Sequence, residues 1–166
     1  VVHATSGAAR LGTLTLPHGD VDTPAFMPVG TRGAIKGLTA AMIETIGAEI
    51  LLANTYHLHL RPGDDLIARA GGLHAFIGWP RPILTDSGGY QVFSLAERRS
   101  VGEAGVTFQS HLDGRTLTLT PESAADIQMQ LGADVAMMFD ECPSWPAPEA
   151  EVEAAMARTL RWARRG

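Results

Sequence analysis

The sequence of 166 residues contains one cysteine, Cys142. A single cysteine excludes an internal disulfide framework and a multi-cysteine zinc site within this chain, and it suits a reducing compartment, so we expect a cytoplasmic location. No apolar run approaches the ~18 residues of a membrane span, and the start of the chain has no signal-peptide pattern. We therefore expect no membrane partner.

Positive charge is also scarce. Thirteen Lys and Arg face eighteen Asp and Glu, so the net charge of −5 argues against a broadly basic nucleic-acid surface. Four arginines nevertheless crowd the last nine positions, enough for a local basic patch: Arg158, Arg161, Arg164 and Arg165. The length allows one domain at most. Because the chain starts at Val1 and stops within a helical pattern, we expect a piece of a longer protein.

The richest chemistry lies in residues 83–93. An apolar run predicts a strand whose carboxyl end carries Asp86 and Ser87. Gly88-Gly89 then lets the backbone approach a ligand closely, and Tyr90 offers a flat face for a planar ring. A carboxylate beside a stacking ring suits a site that holds a purine-like base and moves a proton on it.

The same Asp-Ser-Gly-Gly tetrapeptide, residues 86–89, also surrounds the nucleophile of chymotrypsin-like serine proteases. Those proteins are all-β and usually disulfide-bonded, with a His and an Asp upstream of the serine. The single cysteine and the alternation of strands with helices argue against that interpretation.

Two further predicted strands end in polar residues. The strand at 135–139 leads into Asp140, Glu141 and Cys142, and the strand at 49–54 ends at Asn54. A buried strand with incidental polar ends would explain one such tip, but several tips together indicate a site, because α/β proteins build sites at the carboxyl ends of strands. Asn54 is predicted to reach Asp86 on the neighbouring strand and hold its carboxylate.

His57 and His59, two residues apart after Asn54, are predicted to share one strand face. They suggest metal ligands, but no third ligand is evident, so hydrogen-bonding roles are favoured and no metal site is assigned to this chain. Asp64-Asp65 is expected in the first turn of a helix, where negative charge is favourable.

Strands alternate with helices from residue 28 onward, which predicts an α/β fold with a parallel sheet of about four β/α units. An antiparallel pair precedes them at 10–16 and 21–26, residues 94–105 are expected to form a mobile loop, and a β-hairpin is predicted at 106–119. Predicted helices begin at Thr39, near Gly63, at Thr120 and near Pro148.

Six segments occur in chain order: TPAFMPVG at 23–30, NTYHL with RPG at 54–63, GGLH at 71–74, DSGGYQVF at 86–93, GVTF with SHLDG at 105–114, and FDEC at 139–142. Together they closely resemble the bacterial tRNA-guanine transglycosylases, also called queuine tRNA-ribosyltransferases. The resemblance implies a TIM (β/α)8 barrel that exchanges guanine at the tRNA wobble position for 7-aminomethyl-7-deazaguanine, a step in queuosine biosynthesis. Residues 1–27 would be an antiparallel β lid and 28–166 the first half of the barrel.

Roles follow by motif from the resemblance. Asp86 is expected to be the general acid/base, and Asp140 to accept hydrogen bonds from the Watson–Crick edge of the base. Asn54 and Cys142 would support them, and Cys142 matches the bacterial pattern, which implies the small deazaguanine rather than bulky queuine. The base pocket would be lined by Asp86, Ser87, Gly88, Gly89, Tyr90 and Asp140.

The resemblance also places parts of the machinery beyond residue 166: an aspartate nucleophile and a zinc site of three cysteines and a histidine. The chain alone is therefore expected to be inactive and to bind no cofactor. The complete protein is expected to be a homodimer that binds the anticodon loop of tRNA. A nucleotide-binding domain is disfavoured because no Gly-x-Gly-x-x-Gly or Walker segment follows a strand. A non-catalytic partner subunit of the same family is disfavoured by the presence of both Asp86 and Asp140.

Overall fold

The structure, a computed structural model, describes residues 1–95 and 99–166. The strands are β1 (Val2–Ser6), β2 (Ala9–Leu16), β3 (Gly19–Thr23), β4 (Leu51–Ala53), β5 (Ile83–Thr85), β6 (Arg99–Gly102), β7 (Gly105–Gln109), β8 (Thr116–Leu119) and β9 (Val135–Ala136). The helices are α1 (Ala40–Thr45), α2 (Thr55–Leu60), α3 (Asp64–Arg69), α4 (Gly72–Ile77), α5 (Gly89–Leu95), α6 (Pro121–Leu131) and α7 (Glu149–Trp162).

The first sheet is antiparallel, in the order β1-β2-β3. The predicted pair is confirmed, with Leu14 opposite Val21, but its second strand ends at Thr23 rather than Phe26. Strand β1 has no counterpart among the predicted strands, and it pairs with β2 through a register shift near Val2. The role of this sheet as a lid stays a prediction.

The second sheet is parallel, in the order β4-β5-β9, and Val29 forms an isolated parallel bridge to Leu52 of β4. Four successive chain segments therefore lie side by side in chain order, each separated from the next by at least one helix, which confirms the predicted α/β class and its parallel pairing. The strand predicted at 135–139 is shorter than expected, because its pairing ends at Ala136. Closure of a barrel stays a prediction.

A third sheet, β6-β7-β8, corrects two predictions. The inserted β-hairpin at 106–119 is present, but β6 adds a third antiparallel strand to it, with Arg99 opposite Phe108. The expected loop at 94–105 is therefore wrong for residues 99–102, where backbone pairing with β7 outweighs a polar sequence, and also for 94–95 and 105, which belong to α5 and β7. Residues 96–98 lie outside the described part of the chain.

The helical segments after β4 differ most from expectation. His57 and His59 lie on α2, so the predicted shared strand face is wrong. His59 Nδ1 lies 2.7 Å from Asp64 Oδ1, which belongs to the first turn of α3, as predicted for that aspartate. Helix α4 was not predicted.

Helix α6 has the clearest start and stop signals in its sequence, and its buried residues pack in the core. Thr120 and Ser123 form a reciprocal capping box, Pro121 occupies the first turn, and Gly132 ends the helix at φ 70°. Gln128 is buried on α6, where its Oε1 accepts from Thr85 Oγ1 and the Met137 N–H, both at 2.9 Å. This side chain joins the ends of β5 and β9 and so fixes the edge from which the site is built.

Helix α7 carries the predicted apolar spacing, but Val152, Met156 and Leu160 are exposed. The predicted arginine patch is largely neutralised: Arg161 binds both carboxylate oxygens of Glu103, at 2.7 and 2.9 Å, and Arg165 does the same with Glu122. Arg158 pairs with Glu141. No helix in the described residues has the length and apolar character needed to cross a membrane.

Candidate active site

The predicted strand tips meet around one cavity at the carboxyl edge of the parallel sheet. Its volume is about 290 Å³. It is lined by Asp86, Ser87, Gly88, Tyr90, Gln91, Met137, Met138 and Asp140.

Asp86 directly follows β5 and is held by donors on both carboxylate oxygens. The backbone N–H of Thr55 donates to Oδ1 at 2.9 Å, and Gln91 Nε2 donates to Oδ2 at 2.8 Å. Asn54 Nδ2 also donates to Oδ2, which confirms the predicted contact between the two strand tips. The Asp86 backbone N–H donates to Ala53 O, continuing the sheet up to the site. These hydrogen bonds fix the position of the carboxylate at the cavity.

Asp140 lies across the same cavity, after β9. Ser87 Oγ donates to its Oδ1 at 2.6 Å, and the thiol of Cys142 donates to its Oδ2 at 3.2 Å. Burial, together with the negative charge of Asp140, raises the pKa of the Cys142 thiol to about 12. Cys142 therefore stays protonated and orients a carboxylate, and a role as nucleophile or thiolate ligand does not fit it.

Gly89 lies beneath Asp140 rather than in the cavity wall. A Cβ at position 89 would stand 2.5 Å from the carbonyl oxygen of Asp140 and 2.6 Å from its Oδ1. Only glycine permits this approach of α5 to the chain after β9. Gly89 thus contributes to the site by allowing Asp140 to pack closely against α5. The sequence predicted that it would line the pocket.

Tyr90, in the first turn of α5, is 62% exposed and has an accessible ring at the cavity. Met137 and Met138 also line the cavity and are exposed. An aromatic face and polarisable thioethers beside two carboxylates can hold a flat, polar heterocycle.

A buried aromatic cluster supports α2 beside Asp86. Tyr56 is almost fully buried, with its hydroxyl 2.8 Å from His111 Nδ1 and its ring tilted against Phe108. Burial, followed by the charges of His111 and Arg32, lowers the pKa of His57, and the charge of Asp86 opposes this only in part. His57 is therefore neutral near neutral pH.

A second cluster lies at the opposite end of β5. Asp134 accepts from His18 Nδ1 at 2.7 Å, from His74 Nε2 at 2.9 Å and from the Ile83 N–H at 2.8 Å. Within the described residues this is the one group with three potential metal ligands. The two histidine rings stack 3.6 Å apart with 13° between their planes. An ion bound by both imidazoles would have to lie in both ring planes, and these nearly parallel planes do not meet near Asp134. The cluster is a hydrogen-bonded clasp between the β2–β3 turn and the parallel sheet.

The structure thus brings Asn54, Asp86, Ser87 and Asp140 together as the sequence predicted, but three residues of the cavity were missed. Gln91 lies in the DSGGYQVF segment at 86–93. A predicted helix beginning at Gly89 would have indicated that the side chain of Gln91 points back towards Asp86. Met137 and Met138 were assigned to the interior of a strand that ends before them. Their side chains line the cavity because sheet pairing stops at Ala136.

Comparisons with known proteins identify the family of the chain. The family model described as Queuine tRNA-ribosyltransferase matches residues 5–166. Proteins named "Queuine tRNA-ribosyltransferase" from Thermus thermophilus, Halothermothrix orenii and Moorella thermoacetica are 57%, 58% and 58% identical to this chain. The matches cover 99%, 95% and 95% of this chain but 43%, 42% and 42% of those proteins. The chain spans less than half the length of the curated relatives it matches.

Proposed function

The chain belongs to the queuine tRNA-ribosyltransferase family, and we propose that it supplies the acid/base and base-recognition groups of a tRNA-guanine transglycosylase. One observation carries the proposal: Asp86 and Asp140, from the tips of neighbouring strands, line one cavity together with Tyr90.

In the proposed reaction the bond between the ribose and guanine at the wobble position breaks, and a bond to the incoming 7-aminomethyl-7-deazaguanine forms. Asp86 gives a proton to the departing guanine and later takes one from the incoming base, so it ends the cycle in its starting state. The hydrogen bonds from Thr55 and Gln91 hold the Asp86 carboxyl group in place for both proton transfers.

Asp140 is proposed to read the edge that guanine and its 7-deaza analogue share. Both bases present an N1–H and an exocyclic amino group, which are donors, to a carboxylate. Ser87 and Cys142 each occupy one oxygen of Asp140, and an ionised carboxylate has about four acceptor positions. Acceptor capacity therefore remains for the base.

The closed barrel, the nucleophilic aspartate, the anticodon-loop contacts, the homodimer and the cytoplasmic location are proposed for the complete protein. The implied zinc site needs three cysteines. This chain has Cys142 alone, whose raised thiol pKa and contact with Asp140 do not fit a metal ligand. Zinc is therefore proposed only for residues outside this sequence, and no step is assigned to it.

The test is Asp86→Asn in a full-length protein that contains this chain. An amide keeps the shape but cannot shuttle the proton, so exchange of labelled guanine should fall ~10²–10⁴-fold while tRNA binding stays nearly intact. Asp126→Asn makes the same change at an exposed position on α6 and should have no effect. Exchange at the wild-type rate in Asp86→Asn would refute the role of Asp86. A wild-type protein that binds tRNA but exchanges no base would favour the non-catalytic relative.

A further inference from the structure

Gln91 has an unusual hydrogen-bonding state for a side chain in a binding cavity. Its Nε2 donates to Asp86 Oδ2 at 2.8 Å. Its Oε1 is buried and has no hydrogen-bond partner among the residues that the structure describes.

The orientation of this amide follows from its neighbour. Turning the amide over would place Oε1 against the Asp86 carboxylate, and two acceptors facing each other repel. The carboxylate therefore dictates which end of Gln91 faces it, at the expense of the buried oxygen. A buried acceptor without a partner lowers stability, so the contribution of Gln91 to the fold does not explain its presence.

We propose that Gln91 is a positioning residue for Asp86, which holds this side chain fixed at the cavity; the proposal rests on the proposed function of Asp86. Gln91 and Asn54 together hold Oδ2, whereas Oδ1 is held by the Thr55 N–H. Gln91 comes from α5 and Asn54 precedes α2, so the carboxylate is held from two sides.

Other charged and titratable groups also lie near Asp86. His57 lies on α2, close enough for the charge of Asp86 to act on it, and Arg32 and His111 act on His57 in turn. Asp140 shares the cavity with Asp86. Because Gln91 is neutral and contacts Asp86 directly, its replacement changes the hydrogen bonding of Asp86 without changing the charge of the site.

The test compares Gln91→Met and Gln91→Glu in a full-length protein that contains this chain. Methionine keeps the length of the side chain and removes the donor, so the pKa of Asp86 should rise by about one unit. Glutamate adds a like charge and should raise it further. Two readouts apply: the pH profile of kcat/KM for base exchange, and the carbon shift of the Asp86 carboxyl group in a protein labelled at aspartate. Gln109→Met, at an exposed position on β7, is the control and should move neither.

Thermal unfolding separates positioning from a structural role. Removal of an unsatisfied buried acceptor should leave the Tm of Gln91→Met equal to or above that of the wild type. A pKa of Asp86 that is the same in the wild type and both variants would overturn the proposal, and so would a lower Tm without a change in that pKa. If Gln91→Met does not fold, the comparison of Gln91→Glu with the wild type decides. The carboxyl shift needs neither tRNA nor base, so it tests Gln91 even if the protein proves to exchange no base.

Discussion

Gly89→Ala should damage base recognition because the added Cβ would crowd Asp140 and stand 3.2 Å from Ser87 Oγ. The added Cβ would stand 2.5 Å from the Asp140 carbonyl oxygen, about 1 Å closer than ordinary contact. The carbonyl oxygen of Asp140 belongs to the backbone, so rotation of a side chain alone cannot relieve the strain. Either α5 or Asp140 must move by about that distance.

The energetic effect can be estimated from the contacts involved. Overpacking typically costs ~1–3 kcal/mol, offset by up to ~1 kcal/mol because alanine favours a helix over glycine. A shift of ~1 Å also breaks the 2.6 Å hydrogen bond from Ser87 to Asp140, because donor–acceptor distances beyond about 3.2 Å are weak. We therefore expect a loss of stability of ~0–3 kcal/mol and base binding weaker by at least about tenfold, or ~1.4 kcal/mol.

Calorimetric titration with 7-aminomethyl-7-deazaguanine measures the binding, and urea unfolding measures the stability. Gly102→Ala is the matched control, because a Cβ there meets nothing within 4 Å. It should leave both quantities unchanged. Wild-type affinity for the base in a folded Gly89→Ala variant would refute the expectation that the close approach of Gly89 to Asp140 is needed for base binding.

The parts of the fold that were predictable from the sequence are those with local causes. Helix α6 has its start signal at Thr120-Pro121 and its stop signal at Gly132, and it lies where predicted. Helices α2 and α4 have six residues each, too few to be stable through propensity alone, so tertiary packing decides whether they form. Tyr56 and Leu58 on α2 are buried in the core. The spacing of two residues between His57 and His59 predicted a strand there instead of a helix.

The same distinction applies to the residues of the site. Asn54 and Asp86 could be brought together from the sequence, because neighbouring parallel strands end at the same edge of a sheet. The position of Gln91 depends on where α5 begins, and that of Met137 on where β9 stops pairing. The end of β9 depends on tertiary contacts, among them the hydrogen bonds between Gln128 on α6 and Met137.

Two further predictions concern Asp140 and the clasp. Asp140→Ala should weaken guanine binding by ~2–4 kcal/mol, and hypoxanthine binding by less, because hypoxanthine lacks the amino group; equal losses in competition assays would make Asp140 a scaffold residue. Stability should fall as the pH drops below about 6.5, the ordinary pKa of histidine. Burial, then the charge of His18, lowers the pKa of His74, so the unfolded chain binds a proton there that the folded chain does not. Burial alone would raise the pKa of Asp134, but hydrogen bonds from Ile83 and His18 hold it below its usual value, so its contribution is lost only at still lower pH. Urea unfolding between pH 7.5 and 5 measures the slope, which His74→Gln should flatten and a substitution of the exposed His3 should not. An equal slope in His74→Gln and the wild type would show that the acid sensitivity arises elsewhere, because the clasp would then release no titrating group on unfolding.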